Sequence, residues 1–239
     1  MGPMLTGSVL DRWFIDEAPS GTGPAVLEDC AGKPMPLALT YDGWLAFVTK
    51  SAHRGLEWSK PGKASRAAAM AKPGDDLVAL GPKSWATFEL VVEVDGFPAG
   101  HPLLELRNAQ TRIAVDAGGL QGVAVTWDYD TVVYQTYLFP SVRYVLHVVI
   151  DTFQSDTERV RLYVNGLGVD PDTSASSYPF SGKTLALGAG TTVVLGNNAD
   201  FNASIDGKIY YAAVYDEPLG WLAVSQNASA LAGDDDGLP

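Results

Sequence analysis

The sequence predicts an all-β fold, a two-sheet antiparallel β-sandwich. Three observations carry this reading. Short apolar runs rich in Val, Tyr, Thr, Phe and Leu recur along the chain. The 25 glycines and 15 prolines fall between those runs and punctuate them as turns do. No amphipathic stretch of helix length separates one run from the next, which excludes repeated β–α–β units. A chain of 239 residues suits one large sandwich, and a domain of this size buries roughly 70–75% of its unfolded surface without staples.

Residues 9–15 read as an opening strand, followed by a turn-rich loop over 18–23. Residues 36–39 and 45–49 are short strands on either side of the Tyr41-Asp42-Gly43 turn. The one helix-like stretch of the first half, 65–71, is too short to stand alone and reads as a loop or a single helical turn. From residue 77 strands come regularly, over 77–80, 86–94, 102–107, 112–116, 123–127, 132–138, 144–151, 159–165, 183–187, 192–195 and 205–215. Asn165-Gly166 is a hairpin signal, because both residues accept positive φ. Residues 218–231 end in a short helix, with Trp221, Leu222, Val224 and Leu231 near helical spacing. The whole reads as one domain over 1–231 with a frayed acidic tail over 232–239.

The formal net charge of −12 repels nucleic-acid phosphates and anionic membranes, and it favours solubility. No apolar run is long enough to cross a bilayer. Cys30 is the only cysteine, so no internal disulfide forms. That is ordinary for a bacterial, viral or cytosolic domain and unusual for a eukaryotic secreted one. Residues 1–6 show no signal-peptide pattern.

Several motifs resemble the laminin-G-like jelly roll, within the concanavalin A-like lectin and glucanase group. Leu162-Tyr163-Val164-Asn165-Gly166 resembles that family's strand-and-turn motif. His147-Val148 matches the strand before it. Residues 194–198 and 201–206, with Val214-Tyr215 and Leu219, resemble its closing strand. Residues 13–21, Asp29-Cys30-Ala31-Gly32 and residues 87–92 match motifs nearer the N-terminus. The resemblance implies a jelly-roll β-sandwich whose first and last strands lie side by side. It also implies one calcium ion where those strands meet, with Asp29 and Asp206 at ligand positions. Lys33-Pro34-Met35 departs from the polar stretch that usually follows.

Three kinds of site follow. The glucanases of this group carry a Glu-x-Asp-x-x-Glu strand. The nearest match is Glu93-Val94-Asp95, with Pro98 in place of the third acid, so Glu89, Glu93 and Asp95 read as a solvated strand face. His53, His101 and His147 are scattered, and His147 reads as a structural histidine. A sugar site needs an aromatic platform beside amides and carboxylates. Trp127, Asp128, Tyr129, Asp130, Tyr134 and Gln135, with Tyr137, cluster around one hairpin, and its tip is where a rigid scaffold displays binding residues. Core packing of Trp127 and one tyrosine is the competing reading.

The expected function is a non-catalytic, lectin-like recognition or adhesion module for a glycan or a protein partner, outside the cell or on a virion. A phage structural role, as head decoration or tail-fibre domain and with a homo-oligomer as one expected partner, is the alternative. The resemblance of 221–231 to the tail of phage-encoded laminin-G-like domains motivates it. A divergent glycoside hydrolase is the third reading.

Overall fold

The computed structural model describes residues 5–96, 100–117, 122–178 and 180–233. In chain order its strands are β1 (Val9–Phe14), β2 (Val26–Leu27), β3 (Leu37–Thr40), β4 (Leu45–Lys50), β5 (His53–Trp58), β6 (Arg66–Met70), β7 (Trp85–Val94) and β8 (Pro102–Arg107). Then come β9 (Arg112–Ala117), β10 (Val123–Trp127), β11 (Asp130–Tyr134), β12 (Arg143–Asp151), β13 (Val160–Val164), β14 (Leu167–Val169), β15 (Thr192–Leu195) and β16 (Gly207–Tyr215), before helix α1 (Trp221–Gly233). They form two eight-stranded antiparallel sheets. The back sheet runs β14-β13-β12-β7-β16-β5-β4, and the front sheet runs β11-β10-β9-β8-β15-β6-β3-β2. The opening strand β1 pairs with the closing strand β16 from Tyr211 to Tyr215, while β5 pairs with β16 from Gly207 to Ile209.

Alternation builds the sandwich. Ala86, Phe88, Leu90, Val92 and Val94 of β7 point into the interior, where they join Leu104, Leu106, Ile113, Val115, Val125 and Trp127 of the front sheet. The Asn165-Gly166 turn has φ of 52° and 80°, as a tight hairpin between β13 and β14 requires. The sequence reading gives no strand at β2, β5 or β14, and three further stretches depart from it. Residues 66–70 form a strand, hydrogen-bonded to β3 on one side and β15 on the other. Residues 76–80 make a 3-10 turn that buries Leu77 and Leu80. Residues 183–187 are irregular, although Leu185 and Leu187 are buried.

The back sheet has a second core on its outer face. There Phe14, Val91, Val145, Val149, Tyr211 and Tyr215 meet Val224, Ala228 and Leu231 of α1. The helix buries positions 224, 227, 228 and 231 and leaves Trp221 and Leu222 exposed. It also extends two residues into the stretch read as a tail, and 234–239 lie outside the described residues. A register shift in β16 between Ile209 and Tyr211 inserts one extra residue, as a bulge does. Tyr210 and Tyr211 therefore both reach the outer face.

This second core overturns the solvated face expected for β7. Glu89 and Glu93 are 0% and 1% exposed. Buried carboxylates persist only when paired, and the neighbouring strands supply the partners. Glu89 lies opposite His147, 2.6 Å away, and accepts hydrogen bonds from the Tyr211 and Tyr215 hydroxyls. Burial alone would raise the Glu89 pKa, but His147, Tyr215 and Tyr211 outweigh it and hold it below the usual value. Glu93 takes Lys208 at 2.9 Å and Lys50 at 2.7 Å. Pro98 lies outside the described residues.

Asp11 on β1 is fully buried, and neither carboxylate oxygen has a hydrogen-bond donor. Burial and the neighbouring Asp29 raise its pKa to about 8. Such a group favours the folded state while protonated, and that contribution is lost as pH rises through about 8. Asp11→Asn keeps a donor toward Asp29 and removes the titration. We expect it to melt above the wild type at pH 9, by about 1–3 kcal/mol, and to match it near pH 4. A thermal denaturation series across pH checks this, and an unchanged difference between the two pH values would contradict it.

Candidate functional site

At one end of the front sheet two hairpin tips stand side by side. In the β8–β9–β10–β11 meander the β8–β9 and β10–β11 turns necessarily share an end. The β10–β11 connection is a two-residue turn, Asp128-Tyr129, closed by the Trp127–Asp130 pair. Asp128 has φ of 58°, a left-handed conformation unusual for a residue other than glycine. A short chain of hydrogen bonds holds it there. Trp127 Nε1 donates to Thr111 Oγ1 at 3.0 Å, and Thr111 Oγ1 donates to Asp128 Oδ1 at 3.0 Å. The Arg112 amide donates to the same oxygen at 2.9 Å, and Lys183 Nζ reaches Oδ2 at 2.5 Å. Burial would raise the Asp128 pKa, but Lys183, the Arg112 amide and Thr111 keep it below the usual carboxylate range. The turn is therefore rigid, and it carries Tyr129 at its tip with the side chain fully exposed.

Between the tips lies an open pocket of about 440 Å³. Asn108, Gln110 and Arg112 line one wall, Asp128, Tyr129 and Asp130 another, with Arg107 and Lys183 at the sides. The Asn108 side chain shapes the β8–β9 turn by accepting the Gln110 and Thr111 amides. The pocket thus combines one free aromatic ring, two amides, two carboxylates and three cations on turns that backbone contacts fix.

Of the residues singled out from the sequence, Asp128, Tyr129 and Asp130 meet at this pocket. Trp127 does not belong to a ligand platform. It is 1% exposed and stacked on Phe180 at 5.4 Å between ring centres, with Lys183 over the ring at 4.9 Å. Tyr134 does not either, because its ring is buried and its hydroxyl donates to the Val160 carbonyl. Both point to the inner face, where a partner for the polar tip is cheaper than solvent access. Gln135 lies beyond the strand end, on Asp172 at 2.5 Å. Arg107, Asn108, Gln110, Arg112 and Lys183 escaped the sequence reading. The meander of four predicted strands was the signal for the first four. Lys183 comes from a distant loop and had none.

The calcium pair is also corrected. Asp29 accepts amide hydrogens from Arg12, Ala31 and Met35, so it serves as a backbone clamp beside β1. Arg12 pairs with Ala213, and Asp206 lies about seven residues from there, roughly 20 Å along β16. One ion cannot bridge the two. Among the described residues, no group of three or more His, Cys, Asp or Glu side chains is placed to hold a metal.

The remaining acidic pair, Glu93 and Asp95, is bridged by Lys208, at 2.9 and 2.6 Å. The lysine also touches Glu57 at 3.2 Å. Burial alone would lower its pKa, but Asp95, Glu93 and Glu57 hold it above the usual value. Burial would raise Asp95, while Lys208 and Ser141 keep it below the usual range.

No family model matches the chain, and no curated protein does. Solved structures do match. Domain 4 of AbnA, a GH43 extracellular arabinanase from Geobacillus stearothermophilus, in complex with arabinotriose, aligns with a TM-score of 0.63 at 15% identity over 92% of this chain and 98% of that one. Trypanosoma rangeli sialidase in complex with sialic acid aligns at 0.61 and 13% identity over 94% of this chain, which spans only 33% of the sialidase chain. The botulinum neurotoxin type G receptor binding domain aligns at 0.57 and 8% identity over 95% of this chain and 52% of that one. Likeness at such identities shows the fold alone, a β-sandwich of two antiparallel sheets.

The two aromatic residues at the site are expected to behave oppositely. Trp127→Ala should cost about 3–5 kcal/mol of stability, as removal of a buried indole does. Tyr129→Ala should stay within about 0.5 kcal/mol of wild type. Urea denaturation of both variants measures this, and a stable Trp127→Ala protein would contradict the buried placement.

Proposed function

We propose that this chain is a non-catalytic, lectin-like recognition module that binds a glycan in the pocket between the β8–β9 and β10–β11 turns. One observation carries the reading: a fully exposed tyrosine stands on a strained, hydrogen-bonded turn beside amides and carboxylates. An aromatic face packs against the apolar side of a sugar ring, and the amides and carboxylates suit its hydroxyls. Backbone strain held in place by surrounding contacts is a mark of ligand sites. The likeness to an arabinanase domain bound to arabinotriose supports the same reading.

The proposal is non-catalytic because, of the two carboxylates that line the pocket, Asp128 is committed to Thr111, the Arg112 amide and Lys183, which leaves Asp130 without a second carboxyl group to act with. Glycoside hydrolysis uses one protonated and one ionised carboxyl group flanking the bond. Lys208 stands between Glu93 and Asp95, donates to both and helps hold Asp95 below the usual range. On the outer face of the front sheet, burial pushes Asp116 up to about 6. Its neighbour there, Glu105, is fully buried, with one oxygen on Arg112 and the other on the Ala199 amide. The laminin-G-like assignment belongs to this proposal too, and rests on residues 162–166 and 201–219. A surface setting, outside the cell or on a particle, is the natural place for such a module.

A glycan array tests the proposal. The chain should retain at least one oligosaccharide, Tyr129→Ala should lose at least tenfold in affinity, and no reducing sugar should be released from the bound glycans. Binding unaffected by Tyr129→Ala, or turnover of a bound glycan, would overturn it.

A further inference from the structure

The class of glycan follows from the charges around the pocket, on the premise that the pocket is the glycan site. The chain has a formal net charge of −12 and only 16 Lys and Arg residues, yet Arg107, Arg112 and Lys183 all line this one cavity. Arg107 and Arg112 stand directly opposite each other across the β8–β9 pair. Like charges in opposed strand positions are destabilising, so keeping both requires counter-charge.

The three cations are not equally committed. Arg112 is bound to the buried Glu105 at 2.8 Å. Lys183 is bound to Asp128, which Thr111 and the Arg112 amide also hold. The ion-pair partner of Arg107 is Asp200 at 2.7 Å, with the two side chains 40% and 60% exposed. An exposed pair of this kind contributes little and exchanges readily for a better-placed anion. Neither Glu105 nor Asp200 lines the cavity. What faces the cavity is three cations against Asp128 and Asp130, and Asp128 is occupied with its own turn.

We infer that the pocket selects an acidic glycan, one bearing a carboxylate or a sulfate ester, with Arg107 leaving Asp200 to take the anionic group. The planar guanidinium fork matches either group through paired hydrogen bonds. Tyr129 holds the sugar ring, so Arg107 determines specificity and Tyr129 determines binding as such.

The test is an array of uronate-, sialate- and sulfate-bearing oligosaccharides beside their carboxyl-reduced, desialylated and desulfated counterparts. At least one acidic member should bind tenfold or more tightly than its neutral partner. The arm that responds identifies the carboxylate or the sulfate ester. Arg107→Gln should erase the difference, Arg107→Lys should restore part of it, and added salt should weaken only the acidic member. Melting curves establish that both variants fold. Equal binding of acidic and neutral partners through Tyr129 overturns the inference and leaves the glycan reading standing. Failure of every member of the array to bind overturns both.

Discussion

The back sheet has to hide both of its faces. Its inner face meets the front sheet in the sandwich core, and its outer face lies under α1 and a layer of tyrosines. The central strand β7 bears the consequence, because its outward positions include Glu89 and Glu93. Each glutamate survives burial only because adjacent strands place a partner opposite it, His147 on β12 and Lys208 on β16. The bulge at Tyr210 belongs to the same arrangement. It turns two consecutive tyrosines outward, and their hydroxyls reach Glu93 at 3.3 Å and Glu89 at 2.9 Å. Polar networks of this type are costly when incomplete and specify a unique packing when satisfied.

That arrangement also decides where function can sit. Helix α1 and the ion network occupy part of the outer back face, which keeps an open pocket beside Lys50, Glu93 and Tyr210. Residues 199–201 reach over the outer front face, where the Ala199 amide holds Glu105, Asp200 holds Arg107 and Phe201 lies beneath Arg66. The hairpin tips are also open, and one pair of tips encloses the pocket that carries the exposed tyrosine. Its walls are strand ends fixed by buried bonds, so a ligand meets a preformed surface and little ordering cost is incurred on binding.

The sequence was informative where a single rule governs. Alternation and turn residues located most strands within a residue or two, and Asn165-Gly166 located its hairpin. The rule failed where tertiary context outweighs local pattern. An alanine-rich stretch became β6 because β3 and β15 supply hydrogen-bonding partners on both of its sides. Glu89 and Glu93 alternate like a wet face and are dry, since nothing local announces the tyrosines, His147 and lysines that surround them. At the candidate site the tip residues Asp128 and Tyr129 were legible from the turn itself. The direction of Trp127 and Tyr134 was not, because an aromatic on a half-buried strand fits either face until its partner is known. Lys183, more than fifty residues away in sequence, was invisible for the same reason.

The central claim is that ligand recognition takes place at the tips of the front sheet. Titrating the isotopically labelled protein with its tightest array glycan and following backbone amide shifts tests it most directly. The largest changes should fall at residues 108–112 and 128–130 and at Lys183, with β7 and α1 unmoved. Changes centred on the outer back face around Lys50 and Tyr210, or on Ala38 and Ala68 at the far side of the front sheet, would contradict the account.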